Sequence, residues 1–146
     1  MIAVEYLKNH PYYSELSVLA DNSFNLNLID PKLKHAKDSL LWTSNPMVIR
    51  LMGCDFPDPS LDKEVARIKE LRNNPNKYSW MIECNKNIIG NVTIELEADC
   101  SSPKTASYTI LLGDKQYWGR GLSKPITRAV INWAFANQLC EVIEAR

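Results

Sequence analysis

Residues 117–135 read YWGRGLSKPITRAVINWAF, and they place two of the chain's five glycines at the mouth of a helical pattern. Ile126, Val130, Trp133 and Ala134 follow on one face, and the spacing predicts a helix to about Asn137. Before it lie a strand-like run, TASYTILL (105–112), and a short loop, GDKQYW. The first amides of a helix lack internal partners, and the helix dipole places roughly half a positive charge there. A strand leading through a bare loop into such a helix is an anion site. Gly119 and Gly121 take away side chains that would hold a phosphate off the backbone. Lys115, Arg120, Lys124 and Arg128 face Asp114 alone between 114 and 128. Pro125 falls in the first turn, where its missing amide donor costs least. The plainer reading, a tight turn beside solvated basic residues, fits the same residues as well. A P-loop is excluded because no Gly-Lys-Ser/Thr follows, and the third glycine of a dinucleotide fingerprint is absent.

Working outward, FNLNLID (24–30) alternates in the period of a half-buried strand. Asp30-Pro31 reads as a helix start, with Asp as cap, for a helix to about Thr43 that Asn45-Pro46 breaks. Residues 46–52 add a helical turn or two, and GCDFPDPS (53–60) is a loop. Ser60 caps LDKEVARIKELRN, whose Leu61, Val65, Ile68 and Leu71 form a helical stripe; Glu64 stands near capping-box spacing without matching it. YSWMIEC (78–84), a turn at NKN, and IIGNVTIELE (88–97) make a hairpin. ADCSSPK (98–104) turns into the strand at 105–112, and CEVIEAR (140–146) alternates like a last strand. Residues 1–22 read as an extension carrying a short helix around Val4 to Lys8. The expected fold is mixed α/β (α+β), a mostly antiparallel sheet with a parallel, right-handed strand-helix-strand unit at its C-terminal end. Trp80, Trp133 and Phe135 are expected in the core, and His35 on a solvated helix face.

The chain's 146 residues, 45% hydrophobic and 23% charged, suit one globular domain. Lys+Arg and Asp+Glu both number 17, so no global field points to nucleic acid or membrane. Cys54, Cys84, Cys100 and Cys140 lie far apart, and the two histidines, His10 and His35, neighbour none of them. That pattern argues against a zinc site and a disulfide framework. With no signal-peptide run and no membrane span, a cytoplasmic location is expected. Cys84 and Cys140 fall on apolar faces and read as inert thiols.

LLGDKQYWGRGLSKPITRAVINWAF resembles the acetyl-CoA-binding motif of the GNAT superfamily of N-acetyltransferases. It is most similar to the ribosomal-protein-alanine acetyltransferase branch, where Tyr-Trp-Gly-Lys/Arg-Gly is usual. The family pattern, Gln/Arg-x-x-Gly-x-Gly/Ala, falls by its helix on Trp118, Gly119, Arg120, Gly121, Leu122 and Ser123; Ser123 departs from it but is small. Gln116 to Gly121 spells the same pattern two residues too early and is accidental. FNLNLIDPK and IIGNVTIELE resemble the family's first and third strands, so the likeness covers about 24–146, with 1–22 left as an extension and 23–146 as the domain. It implies that amides of 119–124, Lys124 included, hold the pyrophosphate of acetyl-CoA. Backbone at Leu111, Leu112 and Gly113 would receive the pantetheine arm, where the strands at 105–112 and 140–146 splay apart.

The departures matter for catalysis. Family members often carry Glu two residues before the position of Thr109, where this chain has Ser107, and another in the first turn, where it has Pro125. Glu95 and Glu97 are candidate bases, though a solvated outer face accounts for both, and no base is assigned. Met52 to Phe56 would lie near the acceptor by resemblance, or form an ordinary loop. The family normally continues past the last strand, and Arg146 ends this chain. Left alone, the strand at 140–146 is an open edge, through which a homodimer is expected. The function implied is direct transfer of an acetyl group from acetyl-CoA to a primary amine, of a protein N-terminus or a small molecule, with a backbone amide stabilising the oxyanion. A non-catalytic acyl-CoA-binding or regulatory module and a truncated inactive fragment are the alternatives.

Overall fold

Among the described residues six strands form one sheet in sequential order, β1 (Leu16–Val18), β2 (Leu26–Ile29), β3 (Lys77–Cys84), β4 (Asn87–Leu96), β5 (Thr105–Leu112) and β6 (Val142–Ala145). The computed structural model describes residues 16–18, 25–52, 58–97 and 104–145. The helix expected at Val4 to Lys8, Phe24, His10, the loop 53–57 with Cys54 and Phe56, the turn 98–103 with Cys100, and Arg146 lie outside them. All neighbours pair antiparallel except β5 and β6, which run parallel around a crossover helix. This is the mixed α/β sheet expected from the sequence. Beyond that expectation, β1 lies within the stretch read as an extension and pairs with β2, Leu16 opposite Leu28. Three residues carry too short an alternation to announce a strand.

Among the described residues four α-helices cover the two faces, α1 (Ala36–Thr43), α2 (Pro46–Met52), α3 (Leu61–Asn73) and α4 (Ser123–Ala136). On one face Leu122, Ile126, Val130, Trp133 and Ala134 of the α4 region pack against Leu28, Trp80, Ile82, Val92, Ala106 and Tyr108. Trp133 meets Trp80 edge-on, with ring centroids 4.8 Å apart at 87°, a favoured aromatic geometry. On the other face Ala36, Trp42, Val48 and Ile68 of α1–α3 close over Met81. Strand alternation divides the side chains between these two layers.

Local chemistry explains the element ends. Ser60 accepts a hydrogen bond from Lys63 N at 3.2 Å and caps α3 as expected. Asn85 and Lys86 take positive φ of 49° and 71°, the left-handed pair of a two-residue hairpin turn. Ser44 is the C-cap of α1, and Asn45 starts α2, its Oδ1 accepting from Met47 N at 3.0 Å.

Four expectations are corrected. Asp30 is not the residue at the helix cap: Lys32 stands at the N-cap of a short 3₁₀ turn, Leu33–His35, that precedes α1, and Asp30 pairs with Arg72 of α3 at 3.0 Å. His35 is 3% exposed rather than solvated, its Nδ1 accepting from Lys32 N at 3.0 Å. Phe135 is 44% exposed, because Trp133 and Ala134 already occupy the inward face of α4. Leu61 of the α3 stripe is exposed, while the charged Glu64 is buried on that helix.

Candidate functional site

The sheet opens at one place. β5 pairs with β6 from Thr105↔Val142 to Tyr108↔Ala145. The next four residues, 109–112, pair with β4 alone, from Thr93↔Thr109 to Gly90↔Leu112. Backbone groups alternate along a strand, so Leu111 turns its own toward Asn91 of β4, while Ile110 and Leu112 turn theirs to the β6 side, where among the described residues they have no strand partner and an extended ligand can add as a strand.

The β3–β4 register skips Ile89, and this bulge anchors the end of β5. The Ile89 carbonyl accepts from Gly113 N at 2.7 Å and Asp114 N at 3.2 Å. Gly113 is needed for close packing: a Cβ there would lie 2.1 Å from Cγ of Trp42. Asp114 then accepts from Gln116 N at 3.0 Å and starts a 3₁₀ turn, Lys115–Tyr117. The indole Nε1 of Trp118 donates to the Leu112 carbonyl at 2.6 Å, folding the loop back on the strand it left. Arg120 Nε donates to the Gln116 carbonyl at 2.9 Å.

Gly119 and Gly121 adopt φ of 72° and 71°, a region costly for any residue with a Cβ. Nothing lies within 4 Å of where either Cβ would stand, so the space before the loop is open. Leu122 follows as the N-cap of α4, offering no side-chain acceptor. Its own side chain is 3% exposed and pins the helix start into the core. The amides of Ser123 and Lys124 make no backbone hydrogen bond, and Pro125 has no amide hydrogen. Arg120, Ser123, Lys124 and Arg128 are exposed around this uncapped end. The structure thus brings 111–113 and 118–124 together, with open backbone at one strand edge and one helix mouth. On the opposite face of the sheet, an open pocket of about 360 Å³ lies between α1 and the loop, lined by Asp38, Trp42, Asn45, Asn87, Asp114 and Gln116 among others.

The neighbouring polar groups are less suited to chemistry. Burial pushes the Cys84 and Cys140 thiols up, which keeps them protonated and unreactive. Burial likewise raises the Tyr108 phenol, whose oxygen lies 2.7 Å from Thr127 Oγ1 and ties β5 to α4. Glu95 and Glu97 are exposed, on the outer surface expected for them. Sequence reasoning missed Glu144, which the β5–β6 register brings opposite Ser107. The alternation of CEVIEAR put Glu144 on a strand, but only the pairing says which strand it faces. The segment expected near an acceptor, Met52 to Phe56, lies outside the described residues after Met52.

The arrangement of this sheet occurs in known proteins. No curated protein matches the chain at a significant level. Among solved structures, an aminoglycoside N-acetyltransferase in complex with CoA is similar at 17% identity and a TM-score of 0.60, over 88% of this chain and 80% of that one. A microcin self-immunity acetyltransferase in complex with acetyl-CoA and AMP is similar at 19% identity and 0.65, over 81% and 68%. A GNAT-family acetyltransferase from Bacillus anthracis is similar at 12% identity and 0.66, over 89% and 72%. At such identities these likenesses speak for the fold. The family model for the acetyltransferase (GNAT) domain matches residues 25–146, and the chain belongs to the GNAT acetyltransferase family.

Proposed function

We propose that this chain binds acetyl-CoA across residues 111–113 and 118–124 and transfers its acetyl group to a primary amine. The observation that carries the reading is the pair of left-handed glycines, Gly119 and Gly121, opening onto an uncapped helix start beside a half-paired strand. Amides of 119–124 and the positive end of the α4 dipole suit a pyrophosphate, and Arg120, Lys124 and Arg128 add positive charge. The open edge of β5 beyond Tyr108, where Ile110 and Leu112 turn their backbone groups, suits the amide-bearing pantetheine arm by strand addition, with Leu111 between them. Bound acetyl-CoA supplies an activated thioester. The chain supplies orientation, and backbone amides of β5 in the gap are placed to stabilise negative charge on a carbonyl oxygen. The solved neighbours with CoA and acetyl-CoA support the choice of cofactor.

The run Tyr117-Trp118-Gly119-Arg120-Gly121 supports the ribosomal-protein-alanine branch, and hence a protein N-terminus as one candidate acceptor. The other candidate is a small-molecule amine, the class named for the aminoglycoside and glucosamine-6-phosphate N-acetyltransferases of similar fold. A cytoplasmic location and pairing of two chains through the β6 edge belong to the same proposal.

Calorimetric titration with acetyl-CoA tests the cofactor reading. The parent chain is expected to bind saturably, and Gly121→Trp to lose binding at least tenfold, with its unfolding temperature measured alongside. An indole at φ 71° both strains the loop and fills the open space. Equal affinity in the folded variant, or no binding by the parent, overturns the assignment.

A further inference from the structure

The open edge of β5 is closed at one end by a side chain of the same protein. Beyond Tyr108, where pairing with β6 ends, Ile110 and Leu112 turn their backbone groups to the β6 side. The Leu112 carbonyl, the last acceptor of that row, is already taken: the indole Nε1 of Trp118 donates to it at 2.6 Å. An added strand therefore finds the Ile110 groups and the Leu112 amide, and stops there.

The indole is held from two further directions. Its ring is partly buried and packs, as Leu111 does, against the cluster of Ala36, Trp42, Val48, Ile68 and Met81. The Trp118 backbone amide donates to the Lys115 carbonyl at 3.1 Å and closes the 3₁₀ turn. That turn is tied to the sheet in its own right, because Asp114 N donates to the Ile89 carbonyl at the bulge. Swinging the indole aside would break its bond to Leu112 and uncover apolar surface together. Trp118 also adjoins the other half of the candidate site. Gly119 follows it directly with a φ of 72°, and α4 starts at Ser123. One side chain thus joins the end of the strand edge to the start of the glycine loop.

We propose that Trp118 is a positioning residue: it ends strand addition at Leu112 and fixes the span between the edge that takes an amide-bearing arm and the amides that take a pyrophosphate. The inference rests on the cofactor reading above, and adds to it the residue that holds the two halves in register. An arm and a phosphate joined in one ligand reinforce each other only when their subsites stand at the span of the linker. Without the indole, the Leu112 carbonyl is open to an added strand, which can then run past the end of the gap and lose that span.

The test compares acetyl-CoA with its two parts, S-acetylpantetheine and adenosine 3′,5′-bisphosphate, by calorimetry on the parent and Trp118→Phe, with unfolding temperatures alongside. Phenylalanine keeps an apolar ring and removes the donor. Acetyl-CoA is expected to bind the variant about fivefold more weakly, as for the loss of one neutral hydrogen bond. Each part alone is expected to bind within about twofold of the parent, because neither has to span both subsites. Equal affinity for acetyl-CoA in the two proteins overturns the positioning role and leaves the cofactor reading. An equal loss for the adenosine bisphosphate also overturns it, since a loosened loop would then account for the change. No binding of acetyl-CoA by the parent removes the cofactor reading and the role with it. A second measurement needs no variant. The assigned indole N–H signal of Trp118 in the NMR spectrum of the parent is expected to stay protected from solvent exchange when CoA is saturating. Loss of that protection would mean that the cofactor displaces the indole, and overturns the inference.

Discussion

Gly113 shows how one missing methyl positions a functional loop. Its Cα lies under the indole of Trp42, which itself is 3% exposed, so neither partner has free space to yield. Gly113→Ala is expected to cost about 3 kcal/mol through overpacking and to shift the loop leading to Gly119. Urea unfolding measures the first effect and acetyl-CoA affinity the second; an unchanged midpoint would mean that the indole swings aside freely. Gly119 and Gly121 serve the opposite purpose, since the space before them is open and only their φ demands glycine. These two were legible in the sequence, because Gly-x-Gly before a helix carries its own reason. Gly113 was legible only through family resemblance, as its covering residue lies 71 positions away in sequence, at Trp42.

At the scale of elements, α1 and α3 are joined through a buried carboxylate. Glu64 is 2% exposed and accepts from Ser39 Oγ at 2.9 Å and Thr43 Oγ1 at 3.4 Å. Arg67 Nη1 reaches its two oxygens at 3.0 and 2.9 Å from a partly exposed position. Glu64→Ala is expected to cost about 2 kcal/mol, from lost packing and lost charge-assisted hydrogen bonds. The cost stays moderate because Ser39 and Thr43 keep carbonyl partners at Ala36 and Leu40, and Arg67 can turn to solvent. Glu64→Met should recover part of that loss, since a well-packed apolar side chain often replaces a buried ion pair at little cost. Thermal unfolding of the two variants measures this; equal losses would count against it. Helical periodicity assigned α3 from its first residue to its last, yet it reads charge as outward and so hid Glu64. The reverse happened to Leu61 and Phe135, whose apolar chemistry says inward while their helix faces look out.

Across the whole molecule, buried His35 couples stability to pH. Burial lowers its pKa from 6.5, against the opposing pull of Asp38, so the folded chain favours the neutral ring whose Nδ1 accepts from Lys32. The unfolded chain therefore binds more protons as pH falls through 6.5, and stability drops with it. Urea midpoints are expected to be level above about pH 7.5 and to fall toward pH 5.5, with a shallower fall in His35→Gln. A parent midpoint that is flat over that window would overturn this account. The position of His35 next to the Lys32 amide comes from a 3₁₀ turn where an Asp-capped helix was expected; Asp30 is drawn away by Arg72, 42 residues on.

By itself the sequence determined the order of the main strands and helices, the ends of α3 and β5, and the glycine mouth of α4. Each of these rests on contacts within a few residues: alternation, helical spacing, a serine cap, a pair of glycines. Only the tertiary structure decided that β1 joins the sheet, that Glu64 and His35 are buried, and that β5 loses its β6 partner after Tyr108. It alone set Glu95 and Glu144 beside Ser107. Strand register and burial are properties of pairs far apart in the chain, and local periodicity holds no record of which pairs meet.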